Sequence, residues 1–422
     1  MQIRQEKYST TPLSLTEWLF IFLLYITIIA YHGYRFGDED MTETLSYALY
    51  LNDHSLYPND VYIQAVGKSL LNERFPFTMT LYLFVDHLDW ACFILHFISS
   101  ILLIAGLWKV GKIFLRHPLF QLAFILTSLI LSYHINLGGN EIWYNYYVPS
   151  QLAKSIGIWA FIFWLEHKRT SGYLLAALST FAQPVVGAQL ALLFLLTDLI
   201  PWTKKNGKLL RAPLLYAVTA GVWVAAVFIS NLVTDQTITS AEFYNIMEAR
   251  LAHHFFPSYY PLRSWIILVP LMSGGAFLWK RLDLRIYRFF LWAFLGMLIY
   301  LIGIEWLQIS SLLSIQWFKI TVWLKPLSIL AFLWLIEQYF PPIPAVSTLI
   351  SALLLLVLSV IQISGTYRLF KDRPYHFPTT NYFTEEMDMG RKMLESLPDD
   401  ACILIPPQVT GIRYFSRRSL YT

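Results

Sequence analysis

Apolar residues recur along the chain in runs close to the length of a bilayer-spanning helix, separated by short polar stretches. The runs predict spans at about residues 16–34, 88–108, 119–135, 153–165, 214–232, 265–279 and 289–304, a further helix opening at Gln316, and a last span at about 346–363. The run from Gly172 to Leu199 is too long for one straight helix and carries Gln183-Pro184 at its middle. Proline removes a backbone donor, so this run reads as two short helices meeting there. The pattern therefore predicts an all-α polytopic membrane protein with about eleven transmembrane helices.

Two polar regions interrupt this plan. Residues 35–75 carry seven acids against three Lys/Arg and are too charged to embed. Within them Met41, Leu45, Ala48 and Leu49 recur at helical spacing, predicting an amphipathic helix lying along the membrane face, and Pro58-Asn59-Asp60 marks a turn. The tail, 366–422, reads as a small α/β unit, with a strand and turn at Ala401–Pro407 and then Arg413 and Arg417-Arg418. The chain thus divides into a membrane core, 1–365, and an outer tail, 366–422. The tail stops in what reads as the interior of a small domain, which predicts a shortened version of a longer one.

Charge placement orients the core. The Lys/Arg-rich loops at 109–116, 167–169, 204–211 and 280–288 fall on one parity with the N-terminus, which the positive-inside rule assigns to the cytoplasm. The acid-rich loop 35–75, the loop around Glu141, the Arg250–His254 loop and the tail fall on the other side. Composition agrees with membrane embedding, with 56% hydrophobic and 14% charged residues against roughly a quarter charged in soluble domains. The net charge of +4 gives no reason to expect nucleic acid, and two distant cysteines give neither a disulfide framework nor a cysteine metal site. The first apolar run ends in His-Gly-Tyr-Arg without a small-residue cleavage pattern, so it reads as a retained span.

The candidate chemistry lies on the outer side. Asp38, Glu39 and Asp40 follow the first span directly, where a carboxylate at the membrane surface would serve as a general base toward a lipid-borne substrate. The same acids also suit a solvated helix start, Glu39 and Glu43 most of all. Arg250, His253 and His254 form a second group, suited to a phosphate or to acid catalysis, and equally to an interfacial loop anchored by Phe255, Phe256, Tyr259 and Tyr260. Adjacent histidines are a poor metal motif, so a divalent metal is not favoured and no cofactor is expected. Gln316 and Lys319 open a span, with Lys325 deeper; a cation there calls for a buried acid or a lipid phosphate. Glu141, among Trp143, Tyr144, Tyr146 and Tyr147, reads as a sugar-facing surface or as an aromatic belt.

One span, then an acid pair Asp38-Glu39 opening a long outer loop, a polytopic core and an outer C-terminal unit: this layout resembles the GT-C superfamily of membrane glycosyltransferases, which includes protein O-mannosyltransferases and the aminoarabinose transferase of lipid A. The loop Arg250-x-x-His253-His254-x-x-Pro257-Ser258 also resembles one in uncharacterised bacterial membrane proteins. The resemblance implies a GT-C-like fold in a bacterial inner membrane and a polyprenyl-phosphate-linked sugar donor. It implies transfer to a lipid, glycan or protein acceptor on the outer face. Carried over, Asp38 is the base with Asp40 competing, and Glu39, Glu141, Arg250, His253, His254, Gln316, Lys319 and Arg413 are candidate substrate contacts. A transporter or flippase, and an O-antigen ligase or polymerase, are the alternatives. No tandem or inverted repeat favours a transporter.

Overall fold

In a computed structural model the described residues are 12–38, 40–68, 71–199, 210–233, 239–339, 376–379, 384–406, 409 and 411–421. Among them, six segments are long and apolar enough to cross a membrane: Leu15–His32, Val85–Phe114, Arg211–Ser230, Leu262–Leu282, Leu284–Trp306 and Ser310–Glu337. Pro118–Leu131 and Pro184–Leu199 are shorter apolar helices. The chain is thus a mostly helical, membrane-embedded protein. The expected last span, 346–363, lies outside the described residues, as do Glu39 and Lys204, Lys205 and Lys208 of one basic loop.

Local sequence explains the element ends. The first helix, α1 (Leu15–His32), starts in a capping box: the Ser14 hydroxyl accepts from the Glu17 backbone and the Glu17 carboxylate accepts from the Ser14 backbone at 2.8 Å. Glu17 also accepts from Lys112 at 2.6 Å, tying α1 to the long helix Leu88–Phe114. The predicted break is present: one helix ends at Ala182, the next begins at Pro184, and Gln183 between them is extended. The span Ser310–Glu337 is the most enclosed of the six, and Gly275 meets Ser328 so closely that helix Leu262–Leu282 packs tightly against it.

The outer loop departs from expectation. Its helix α2 (Met41–Asn52) buries Met41, Leu45, Ala48 and Leu49 as predicted, but Thr42, Thr44, Ser46 and Tyr47 are buried too. It is therefore a core helix of this loop, packed against helix Phe75–Tyr82 and the C-terminal unit, not an amphipathic helix with one wet face. Its period-based reading missed this because small hydroxyl residues pack where charged ones would not.

The C-terminal unit combines helix Glu385–Ser396 with β1 (Cys402–Leu404) and β2 (Ser419–Tyr421), a parallel pair joined through a short helix at Ile412–Ser416. Asp60 docks this unit on the outer loop. It is fully buried, accepts from its own helix at Ile63 N, and also accepts from Arg413 Nε at 2.9 Å and Leu420 N at 3.0 Å. One carboxylate thus caps a helix and holds residues more than 350 positions away in sequence.

Candidate active site

The functional residues are brought together by the ends of helices rather than by one continuous motif. Helix Pro118–Leu126 closes in a single wide turn, Thr127–Leu131, in which Ser132 N bonds back five residues to Thr127 O. Such turns redirect a helix end and are common at functional sites. The loop that follows is pinned to the end of α1 by Arg35 N to Asn145 O and by Asn145 Nδ2 to His32 O. Gly138 and Gly139, at φ +77° and +62°, then turn the chain beneath the His254 ring. A side chain at Gly139 would collide with that imidazole, so only glycine fits there.

These elements surround a cavity of about 1010 Å³. Its walls include Tyr31 and His32 from the end of α1, Ile130, Leu131 and His134 from the wide turn and its loop, and Arg250, His253 and His254 from helix Ser240–Phe255. Asp40, Glu43 and Tyr62 of the outer loop, Glu141 and Tyr144, and Arg413 of the C-terminal unit complete it. That volume lies at the upper end of the roughly 300–1,000 Å³ typical of small-molecule sites.

The charged walls differ in how they are paired. Glu141 is buried and forms an ion pair with Lys325 at 3.1 Å, while Lys325 also donates to the backbone carbonyls of Ser132 and Ile135. Lys154, fully buried, donates to the Glu141 carbonyl and to Asn140 Oδ1, and lies 4.1 Å from the Tyr144 ring centre. Glu43 is paired with Arg74 at 3.1 Å, and Arg413 with Asp60. Asp40 and Arg250, by contrast, make no hydrogen bond or ion pair among the described residues, and both are exposed to the cavity. The Asp40 charge acts on His254, Lys319 and Arg74. Burial, then the positive charges of Lys319 and His253, push the His254 imidazole down to about 4, so it is neutral at physiological pH.

The sequence candidates are therefore sorted. Asp38, placed first as base, is not in the cavity wall; its carboxylate reaches Arg35 at 3.4 Å. Asp40, Arg250, His253 and His254 share the wall, though they come from opposite parts of the chain. Glu141 lines it too, but as the counter-ion of Lys325. Lys319 lies behind the wall, its backbone nitrogen against Gly138. Gln316 stands between two short helical turns in the left-handed region, φ +45°, where its carbonyl accepts from Gln189; it does not line the cavity. Arg413 lines it with its Nε held by Asp60. The sequence reading missed Lys154 and Tyr62. The first carried the signal that exposed Lys325, a lone cation in an apolar run; Tyr62 carried none.

Among the described residues, no three His, Cys, Asp or Glu side chains gather as a metal site. No family model matches the chain, and neither the curated proteins nor the solved structures contain a match.

Proposed function

We propose that the protein is a membrane glycosyltransferase of GT-C type. It has about eleven spans, its N-terminus is cytoplasmic, and its cavity opens on the outer face of a bacterial inner membrane. It transfers a sugar from a polyprenyl-phosphate-linked donor to an acceptor hydroxyl. The observation that carries this reading is the pairing pattern: a carboxylate, Asp40, and a guanidinium, Arg250, neither with an ion-pair partner among the described residues, face one cavity walled in part by the end of the membrane-length helix Leu15–His32. In this reading Asp40, not Asp38, takes the acceptor proton as its oxygen attacks the anomeric carbon. The bond from that carbon to the phosphate oxygen breaks, and the phosphate leaves with the electron pair toward Arg250 and His253. The Ile130–Leu131 lip, with Leu131 72% exposed, gives the isoprenoid chain an apolar exit beside the polar pocket.

Direct binding tests the donor half. Arg250→Ala should weaken polyprenyl phosphate binding to the purified protein by about 1.5–3 kcal/mol, the range for a charge-assisted hydrogen bond, or roughly ten- to 150-fold. Arg250→Lys should recover only part, because the planar fork is lost. Equal affinity in wild type and Arg250→Ala removes this residue from the donor site.

Orientation has its own test. Cys402 is exposed while Cys92 is buried. A membrane-impermeant thiol reagent added to spheroplasts should therefore label the native protein at Cys402 alone. Labelling of Cys402 only after the membrane is opened would place the C-terminal unit, and with it the cavity, on the cytoplasmic side.

A further inference from the structure

The cavity has two chemically different walls. Where Arg250 and Asp40 face it, neither charge has an ion-pair partner among the described residues. Where the outer loop meets the C-terminal unit, every charge that lines it is already compensated: Arg413 by Asp60 at 2.9 Å and Glu43 by Arg74 at 3.1 Å. These groups form one continuous strip. The Arg413 guanidinium lies 5.4 Å from the centre of the Tyr62 ring, and the Tyr62 hydroxyl donates to Glu43 at 3.2 Å. Burial holds the Tyr62 phenol well above its ordinary range, so it remains a donor. Tyr144 and Tyr146, their ring centres 5.4 Å apart, line the same cavity.

A charged ligand on this strip would lose its water without meeting an unspent counter-charge, which is costly. A sugar ring meets what it needs. Its hydroxyls exchange water for carboxylate and guanidinium edges, and its C–H face lies on aromatic rings. Asp40 stands at the N-cap position of α2 without a cap hydrogen bond and Glu43 is three positions further on, so the two project to the same side of the helix start, about one turn apart. A hydroxyl group held at Glu43 is thereby presented to Asp40.

We propose that the strip formed by Glu43, Tyr62 and Arg413 is the acceptor subsite and takes a neutral sugar residue, so that the protein extends a glycan or glycolipid headgroup instead of modifying a peptide. This rests on the glycosyltransferase reading of the same cavity. It also gives the C-terminal unit a function: Arg413 belongs to the subsite, and Asp60 holds it there.

Saturation-transfer NMR on the 422-residue protein in detergent tests the assignment, with maltotriose, glucuronate and a capped Ala-Thr-Ala peptide as probes and farnesyl phosphate as the donor-side control. Maltotriose should bind at least about tenfold better than glucuronate or the peptide, the scale of one or two good polar contacts. Tyr62→Ala and Glu43→Gln should each weaken maltotriose about tenfold while farnesyl phosphate stays within about twofold. Tyr62→Phe, which keeps the ring, should lose less. Binding of the peptide or glucuronate as well as maltotriose overturns the proposal, as does maltotriose binding that neither Tyr62→Ala nor Glu43→Gln changes. If farnesyl phosphate fails to bind the wild type while the maltotriose pattern holds, the subsite stands and the lipid-phosphate donor falls.

Discussion

Asp40→Asn should lower glycosyl transfer by about a hundredfold or more, the usual scale for losing a general base. It should do so without unfolding the protein. The Asp40 side chain makes no cap hydrogen bond to α2, and it has no ion-pair partner among the described residues. What the substitution removes from stability is the interaction of a charge with the helix start, worth about 1 kcal/mol or less, and its attraction to Lys319 and Arg74 without direct contact. Asp38→Asn is the matched control. It loses a half-exposed contact with Arg35, and such pairs contribute about 0–1 kcal/mol, so transfer should fall no more than about fivefold. Initial rates of sugar transfer from a polyprenyl phosphate donor, measured beside the thermal midpoint of each variant, separate the two residues. A large loss in Asp38→Asn with Asp40→Asn near wild type would return the base role to Asp38. Full activity in both would remove the carboxylate mechanism.

The proposed exchange of roles marks where the sequence stopped being informative. Asp38, Glu39 and Asp40 are consecutive carboxylates between the end of the span and the start of α2, and nothing in their local sequence separates a base from a solvated helix start. Which one faces the cavity depends on the turn between α1 and α2 and on the Arg35 side chain taking Asp38. The membrane-length helices and the break at Gln183-Pro184 were legible because each follows from a local cause: apolar length in one case, a missing backbone donor in the other. The small C-terminal strand was legible for the same reason. The assembly of the site was not. Asp40 and Arg250 are 210 positions apart, and Asp60 and Arg413 are 353 apart; no periodicity carries such a pairing. Lys325 shows the intermediate case. Its cost in an apolar run demanded an acid or a phosphate, but the identity of Glu141 as that acid came only from the fold.

Glu141→Gln should be the most destabilising single change near the cavity, by about 3–5 kcal/mol, because it breaks a buried ion pair from one side. Both partners are enclosed, with side chains 1% exposed at Lys325 and 6% at Glu141. The neutral amide would leave the Lys325 ammonium facing only the carbonyls of Ser132 and Ile135. It would also take the carboxylate away from Lys154, which stands close by against the Glu141 carbonyl. Lys325→Met should cost less. The remaining Glu141 keeps its hydrogen bond from Asn136, and the methionine fills most of the lysine's apolar volume. The double variant Glu141→Gln with Lys325→Met should recover much of the loss of Glu141→Gln alone, since it removes the stranded charge together with its partner. Thermal and denaturant unfolding of the four proteins in the same detergent gives the coupling directly. A Glu141→Gln loss under about 1 kcal/mol, or a double variant less stable than both singles, would show that Lys325 does not depend on Glu141, and the cavity floor would need another counter-ion.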